Sequence, residues 1–169
     1  MKTQVIFIHG GDPHATQEEY ISFLKNYKIE DLSYFKRKRW SHSLQERLGD
    51  DFDVIAPKMP NDRNAKYLEW KIWFDKLLPF VNDNVILIGS SLGGVFLTKY
   101  LSENTIPKKI KAVFFIAAPF DDKDADYSLA DFILPDSLDN ISRQVGIINF
   151  YHSKDDPVVP FIDIEKYKT

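Results

Sequence analysis

Ser91 stands in the run Asn84 to Gly94, Asn-Val-Ile-Leu-Ile-Gly-Ser-Ser-Leu-Gly-Gly, and Gly89 and Gly93 complete a G-x-S-x-G spacing around it. The spacing matters because a serine at a sharp strand-to-helix corner is pushed out above the sheet, while small flanking residues let neighbouring backbone come close. The chemistry such a hydroxyl supports is attack on a carbonyl carbon, so Ser91 is the candidate nucleophile. A second glycine turn, His9-Gly10-Gly11, follows the apolar run Gln4 to Ile8. In a site of this kind the loop after the first strand and the residue after the nucleophile supply backbone N–H groups to a developing oxyanion. Here those donors are Leu92 together with Gly11 or Asp12. His9 at its strand end is read as orienting the loop, and His9, Gly10 and Phe120 as lining a substrate pocket. The competing reading, a serine that merely caps its helix, loses ground because five of only 7 glycines sit in these two turns.

Positioning Ser91 needs a strand and a helix on either side of the turn. Val85 to Ile88 is a short apolar run, and Leu92, Val95, Phe96, Tyr100 and Leu101 fall on one helical face. Upstream, Ser41 to Leu48 predicts a helix ended by Gly49, and Phe52 to Ala56 a strand stopped by Pro57 and Pro60. Tyr67 to Val81 predicts a long helix, with Trp70, Trp73, Phe74, Leu77, Leu78 and Val81 at i, i+3, i+4, i+7 spacing and both tryptophans in the core. Downstream, Lys111 to Ala118 and Val145 to Tyr151 read as buried strands, the first ending at Pro119-Phe120 and the second delivering His152 to Pro160. Five strands alternating with helical segments predict an α/β three-layer sandwich, a mostly parallel sheet flanked by helices. Loops at the carboxyl ends of such strands share one crevice. Gly10-Gly11, Ser91, Phe120 and Asp156 all lie just beyond such ends.

The remaining stretches carry weaker signals. Residues 12 to 40 are polar and then aromatic, and predict one or two short helices over the mouth of the site, a small cap or lid within a single domain spanning 1–169. Lys36-Arg37-Lys38-Arg39 reads as a solvated basic face. Asp121 to Asp139 holds seven aspartates but no spacing like a calcium loop, so neither metal nor cofactor is expected. A net charge of -3, from 22 basic and 25 acidic residues, gives no pull toward nucleic acid or membrane. The absence of cysteine excludes disulfides and thiol catalysis and fits a reducing compartment. With Met1-Lys2-Thr3 running straight into a strand and no apolar run near the ~18 residues of a membrane span, the expected location is cytoplasmic.

Taken in order, His9-Gly10-Gly11, Gly89-x-Ser91-x-Gly93 and Asp156-Pro157-Val158-Val159-Pro160 resemble the α/β-hydrolase superfamily. Met59-Pro60 followed by a tryptophan-bearing helix is similar, more narrowly, to small, cap-poor serine hydrolases related to retinoblastoma-binding protein nine. The resemblance implies a catalytic triad in the order Ser, Asp, His, with Ser91 as nucleophile and Asp156 matching the acid better than its neighbour Asp155. It also implies a histidine beyond the acid, and none follows Asp156; His9, His14, His42 and His152 all lie upstream. The expected function is therefore a serine hydrolase acting on a small ester, amide or peptide through an acyl-enzyme on Ser91, crippled here for want of that base. The alternative is a non-catalytic binding protein that keeps the fold and pocket. A final strand and helix expected from the resemblance are also absent, which leaves a sheet edge open to homodimerisation.

Overall fold

The computed structural model describes residues 2–36, 40–123 and 125–168. Five strands, β1 (Thr3–Ile8), β2 (Phe52–Ile55), β3 (Val85–Ser90), β4 (Ile110–Ile116) and β5 (Val145–Tyr151), form one sheet in the order β2-β1-β3-β4-β5. All four pairings are parallel. From β1 the chain moves outward to β2, then returns to place β3 on the other side of β1. That reversal opens a crevice at the carboxyl ends of β1 and β3. The register Ile8↔Gly89 brings the two glycine turns level with each other.

Helices cover both faces. On one, α3 (Tyr67–Asp75), α4 (Leu92–Glu103) and α5 (Asp139–Gln144) bury Ile6, Ile8, Leu87, Val113 and Phe115. The aromatic interior there is a set of edge contacts among Trp70, Phe74, Phe96 and Phe132. On the other face, Trp40 meets Phe7 edge-on at 5.2 Å, and α2 (Leu44–Leu48) sits beside β2. Two further helices are α1 (Gln17–Asn26) and the four-residue α6 (Asp163–Lys166). Thr16 caps α1 by accepting from the Glu19 N–H at 3.1 Å, which satisfies one orphan donor of the first turn.

Several boundaries differ from the sequence expectation, each for a local reason. The long helix stops at Asp75 and resumes as a single 3-10 turn, Leu78–Phe80. Pro79 explains this: it lacks an N–H, and its ring collides with the carbonyl four residues back. Trp73 is 44% exposed where Trp70 is fully buried; at ~100° per residue, the face defined by Tyr67, Trp70 and Phe74 leaves Trp73 at its rim. Trp40–Ser43 is a 3-10 turn that precedes α2, and Gly49 ends that helix at φ 77° as the sequence predicts. The strand at β4 ends at Ile116, because Ala117 turns to φ 46°. Within Asp121 to Asp139, carboxylates hold the loop together: Asp122 accepts from the Leu129 N–H and Asp131 from the Tyr67 N–H. Of the basic run, Arg37 to Arg39 lie outside the described residues.

Candidate active site

The corner between β3 and α4 holds Ser91 at φ 53°, ψ -126°, a backbone geometry that costs a side-chain-bearing residue about 1–3 kcal/mol. Three hydrogen bonds fix it there. The Ser91 N–H donates to the Ile116 carbonyl at 2.8 Å, and its own carbonyl accepts from Gly94 at 2.8 Å and Val95 at 3.2 Å. Its hydroxyl makes no capping bond to the helix, which sets aside the capping-serine reading. Close approach requires the glycines: a Cβ on Gly93 would lie 2.2 Å from the Ile8 carbonyl oxygen, and one on Gly10 would lie 3.1 Å from Ser91 Cβ and 3.5 Å from its Oγ. The loop after β1 therefore passes directly beside the hydroxyl.

The first turn of α4 leaves the Leu92 N–H outside the helical ladder, at the position expected for an oxyanion donor. Between the two other candidates the hydrogen bonds decide. The Asp12 N–H donates to the Asp62 carbonyl at 2.8 Å, so Asp12 is not available as a donor, and Gly11 is the one left. The Asp12 carbonyl accepts from Ala65 at 3.1 Å, and Pro13 bridges to Ala65; the loop is stapled to residues 62–65 through its backbone. Its side chain is stapled as well, by an ion pair with Arg63 at 2.8 Å. Arg63 lies over the Tyr27 ring and donates to the Tyr34 hydroxyl. Sequence reading missed Arg63, since a lone arginine in the Asn61-to-Asn64 turn carries no pattern.

Two cavities meet at Ser91 and share Gly11 and Asp12. One, about 300 Å³, is largely apolar, walled by Phe23, Leu92, Pro119, Leu129, Val158 and Val159. The other, about 320 Å³, includes His9, Gly10, Trp40, Ser41, Asp62 and Arg63. Phe23 comes from α1, so the 12–40 segment does reach the site. Phe120 does not: it lines a separate cavity with Phe115, Phe150 and Tyr167, because its N–H is drawn to the buried Asp163 carboxylate at 3.0 Å. Tyr127, also unforeseen, lines the apolar cavity; burial first, then the nearby Asp163 charge, pushes its hydroxyl up to about 12.

The loop after β5 distinguishes the two aspartates. Asp156 Oδ1 accepts from the N–H groups of Val158 and Val159, both at 2.9 Å, so its carboxylate is fixed by the turn. Asp155 is exposed, and a hydrogen bond from Ser153 Oγ holds it below the usual carboxylate range.

The histidines divide clearly. His9 is buried, with Nε2 accepting from the Met59 N–H at 2.9 Å and Nδ1 2.6 Å from the Gly10 carbonyl. That pairing fixes the Nδ1–H tautomer and makes His9 the brace of the glycine loop. His152 Nε2 lies 2.9 Å from the Val159 carbonyl and 4.0 Å from Asp156 Oδ2, so it braces the loop after β5. His42 is on an exposed turn. His14 lines the apolar cavity, with its ring packed on Tyr20 and Phe23 and its Nε2 buried without a hydrogen-bond partner among the described residues.

An all-parallel sheet with a serine corner at its switch point and a glycine loop pressed against it defines the α/β hydrolase architecture. The family model for the alpha/beta hydrolase fold matches residues 5–150, and the chain belongs to that family. No curated protein matches the chain. Among solved structures, the ydeN gene product of B. subtilis is 19% identical with a TM-score of 0.72, covering 98% of this chain and 79% of its own. A putative cell surface hydrolase from Lactobacillus plantarum is 18% identical with a TM-score of 0.50, covering 99% and 76% respectively. At such identities the likeness is one of fold.

Proposed function

We propose that this chain is a serine hydrolase in which Ser91 attacks the carbonyl of a small ester, amide or peptide, and that residues 1–169 by themselves turn over slowly because none of the described histidines is hydrogen-bonded to Ser91. The observation that carries the reading is the strained Ser91 corner with its hydroxyl free of a capping role beside Gly10. Leu92 and Gly11 are the oxyanion donors, and Asp156, with its carboxylate held by two N–H groups, is the acid. The apolar cavity takes the acyl part and the more polar one the leaving group.

Of the four histidines, His9 and His152 spend ring nitrogens on loop bracing, His42 lies outside both cavities, and His14 shares the apolar cavity with Ser91 but its Nε2 is hydrogen-bonded to neither Ser91 nor Asp156 among the described residues. At pH 7 Ser91 is then a neutral hydroxyl, and loss of a triad member costs about four to six orders of magnitude. The test is ester hydrolysis by the 169-residue chain with and without added imidazole, which supplies a base from solution. A low rate that rises with imidazole and vanishes in Ser91→Ala is expected. Turnover indifferent to imidazole and lost in His14→Ala would show instead that His14 is the base.

The cavities also favour a second reading, a binding protein that keeps the pocket without chemistry. Saturable binding of an ester with no turnover, imidazole included, would select it.

A further inference from the structure

After the glycine loop the chain lays α1 beside the apolar cavity, where Phe23 is part of the wall, and returns through a 3-10 turn at Leu32–Lys36. None of the ten residues of α1 is buried, and an isolated helix of that length is marginal in water. What holds it is a stripe of rings at i, i+3 and i+7, Tyr20 and Phe23 within the helix and Tyr27 at its C-cap. Tyr20 and Phe23 pack on the His14 ring at 5.5 and 4.9 Å. Tyr27 meets Arg63.

Arg63 stands on a rigid base. Its turn is closed by the Asn64 N–H donating to the Asn61 carbonyl at 2.7 Å, and the Asn61 side-chain amide ties it to Glu69 of α3 at 2.9 Å. The same turn presses on the glycine loop: the Asp62 carbonyl oxygen accepts from the Asp12 N–H and would lie 2.6 Å from a Cβ on Gly11. From this base one guanidinium reaches three groups. Nη1 donates to the Asp12 carboxylate at 2.8 Å, Nη2 donates to the Tyr34 hydroxyl, and Cζ lies 5.3 Å from the centroid of the Tyr27 ring. The Tyr27 and Tyr34 hydroxyls are 3.0 Å apart, so the end of α1 and the 3-10 turn close on each other as well as on Arg63. The ion pair with Asp12 is half-exposed and contributes little by itself; the planar fork that serves all three groups at once is what a lysine could not reproduce.

We propose that residues 17–36 form a lid latched shut by Arg63, and that the latch selects long apolar acyl groups by holding Phe23 against the cavity beside Ser91. The selection rests on Ser91 being the nucleophile; the latch does not, and the two are read separately. In amide hydrogen exchange, Arg63→Gln is expected to speed exchange in α1 at least about tenfold, with β1, α3 and α4 unchanged. Tyr34→Phe should go part of the way, and Arg63→Lys should fail to restore protection. With ethyl and octyl fluorophosphonates, the wild type is expected to label faster with the octyl probe. Arg63→Gln should lose at least about tenfold of that preference while ethyl labelling holds, whereas a merely destabilising substitution would slow both probes alike. Exchange in α1 that is unchanged in Arg63→Gln, restored by lysine, or raised throughout the sheet would overturn the latch. An unchanged octyl preference beside faster exchange would overturn the selection. Labelling by neither probe would contradict the reading of Ser91, with the exchange result still deciding the latch.

Discussion

Gly93→Ala asks whether the close approach of α4 to β1 is what builds the serine corner. On propensity alone the change should help, since alanine is favoured over glycine inside a helix by about 1 kcal/mol. Geometry opposes it. The added Cβ would stand 2.2 Å from the Ile8 carbonyl oxygen, 2.7 Å from its carbonyl carbon and 2.6 Å from the His9 carbonyl oxygen. All three are backbone atoms, and Ile8 is held in the sheet by its pairing with Gly89, so no side chain can swing aside. Overpacking of this kind costs about 1–3 kcal/mol or more, and against rigid backbone the upper part of that range applies. The net expectation is a loss of about 2 kcal/mol, or about 4–8 °C in Tm for a chain of this size. Thermal unfolding by circular dichroism measures it, and esterase rate or Ser91 labelling should fall further than stability alone explains, because α4 moves away from the glycine loop after β1. A Gly93→Ala protein as stable as the wild type, with Ser91 reactivity intact, would refute the reasoning.

Two further outcomes follow from the braces around the site. His9→Leu keeps the volume but leaves the Met59 N–H without its 2.9 Å partner; a cost of about 1–3 kcal/mol should appear in urea unfolding, and a gain in stability would contradict the bracing role. Asp121 and Asp163 each lie 3.0 Å from Lys166 Nζ. Although burial alone would raise the Asp121 pKa, the hydrogen bond from Lys166 and that from the Lys123 N–H hold it below its ordinary 3.8. A depressed carboxylate contributes stability above its unfolded value and loses it as pH falls through the folded one. Asp121→Asn should therefore unfold at lower temperature than the wild type at pH 7 and converge with it as the pH falls below the ordinary carboxylate range and through the lowered pKa of folded Asp121; a gap that persists in acid would show that packing, not charge, is responsible.

Much of the site was legible because its constraints are local. The glycines at 10, 11, 89 and 93 announce two tight turns, and apolar runs before each turn announce parallel strands, so the crevice at β1 and β3 follows from topology. Three-dimensional competition for hydrogen bonds was not legible. Nothing in the sequence says that the Asp62 carbonyl takes the Asp12 N–H, or that buried Asp163 draws Phe120 away from the site. Asp163 comes 43 residues after Phe120 in a short polar helix, where periodicity is silent. Pro79 should have bounded the Tyr67 helix from sequence alone, and the apolar spacing beyond it masked the break. Arg63, Tyr127 and the orientation of the histidines depend on which loops meet, and such contacts leave no trace in spacing.

The central claim is that Ser91 is a nucleophile. Reaction of the chain with a fluorophosphonate, read by intact mass and peptide mapping, tests it most directly. A single slow adduct on Ser91, faster with imidazole and absent in Ser91→Ala, is the predicted result; no adduct under any condition, or one that survives Ser91→Ala, would contradict it.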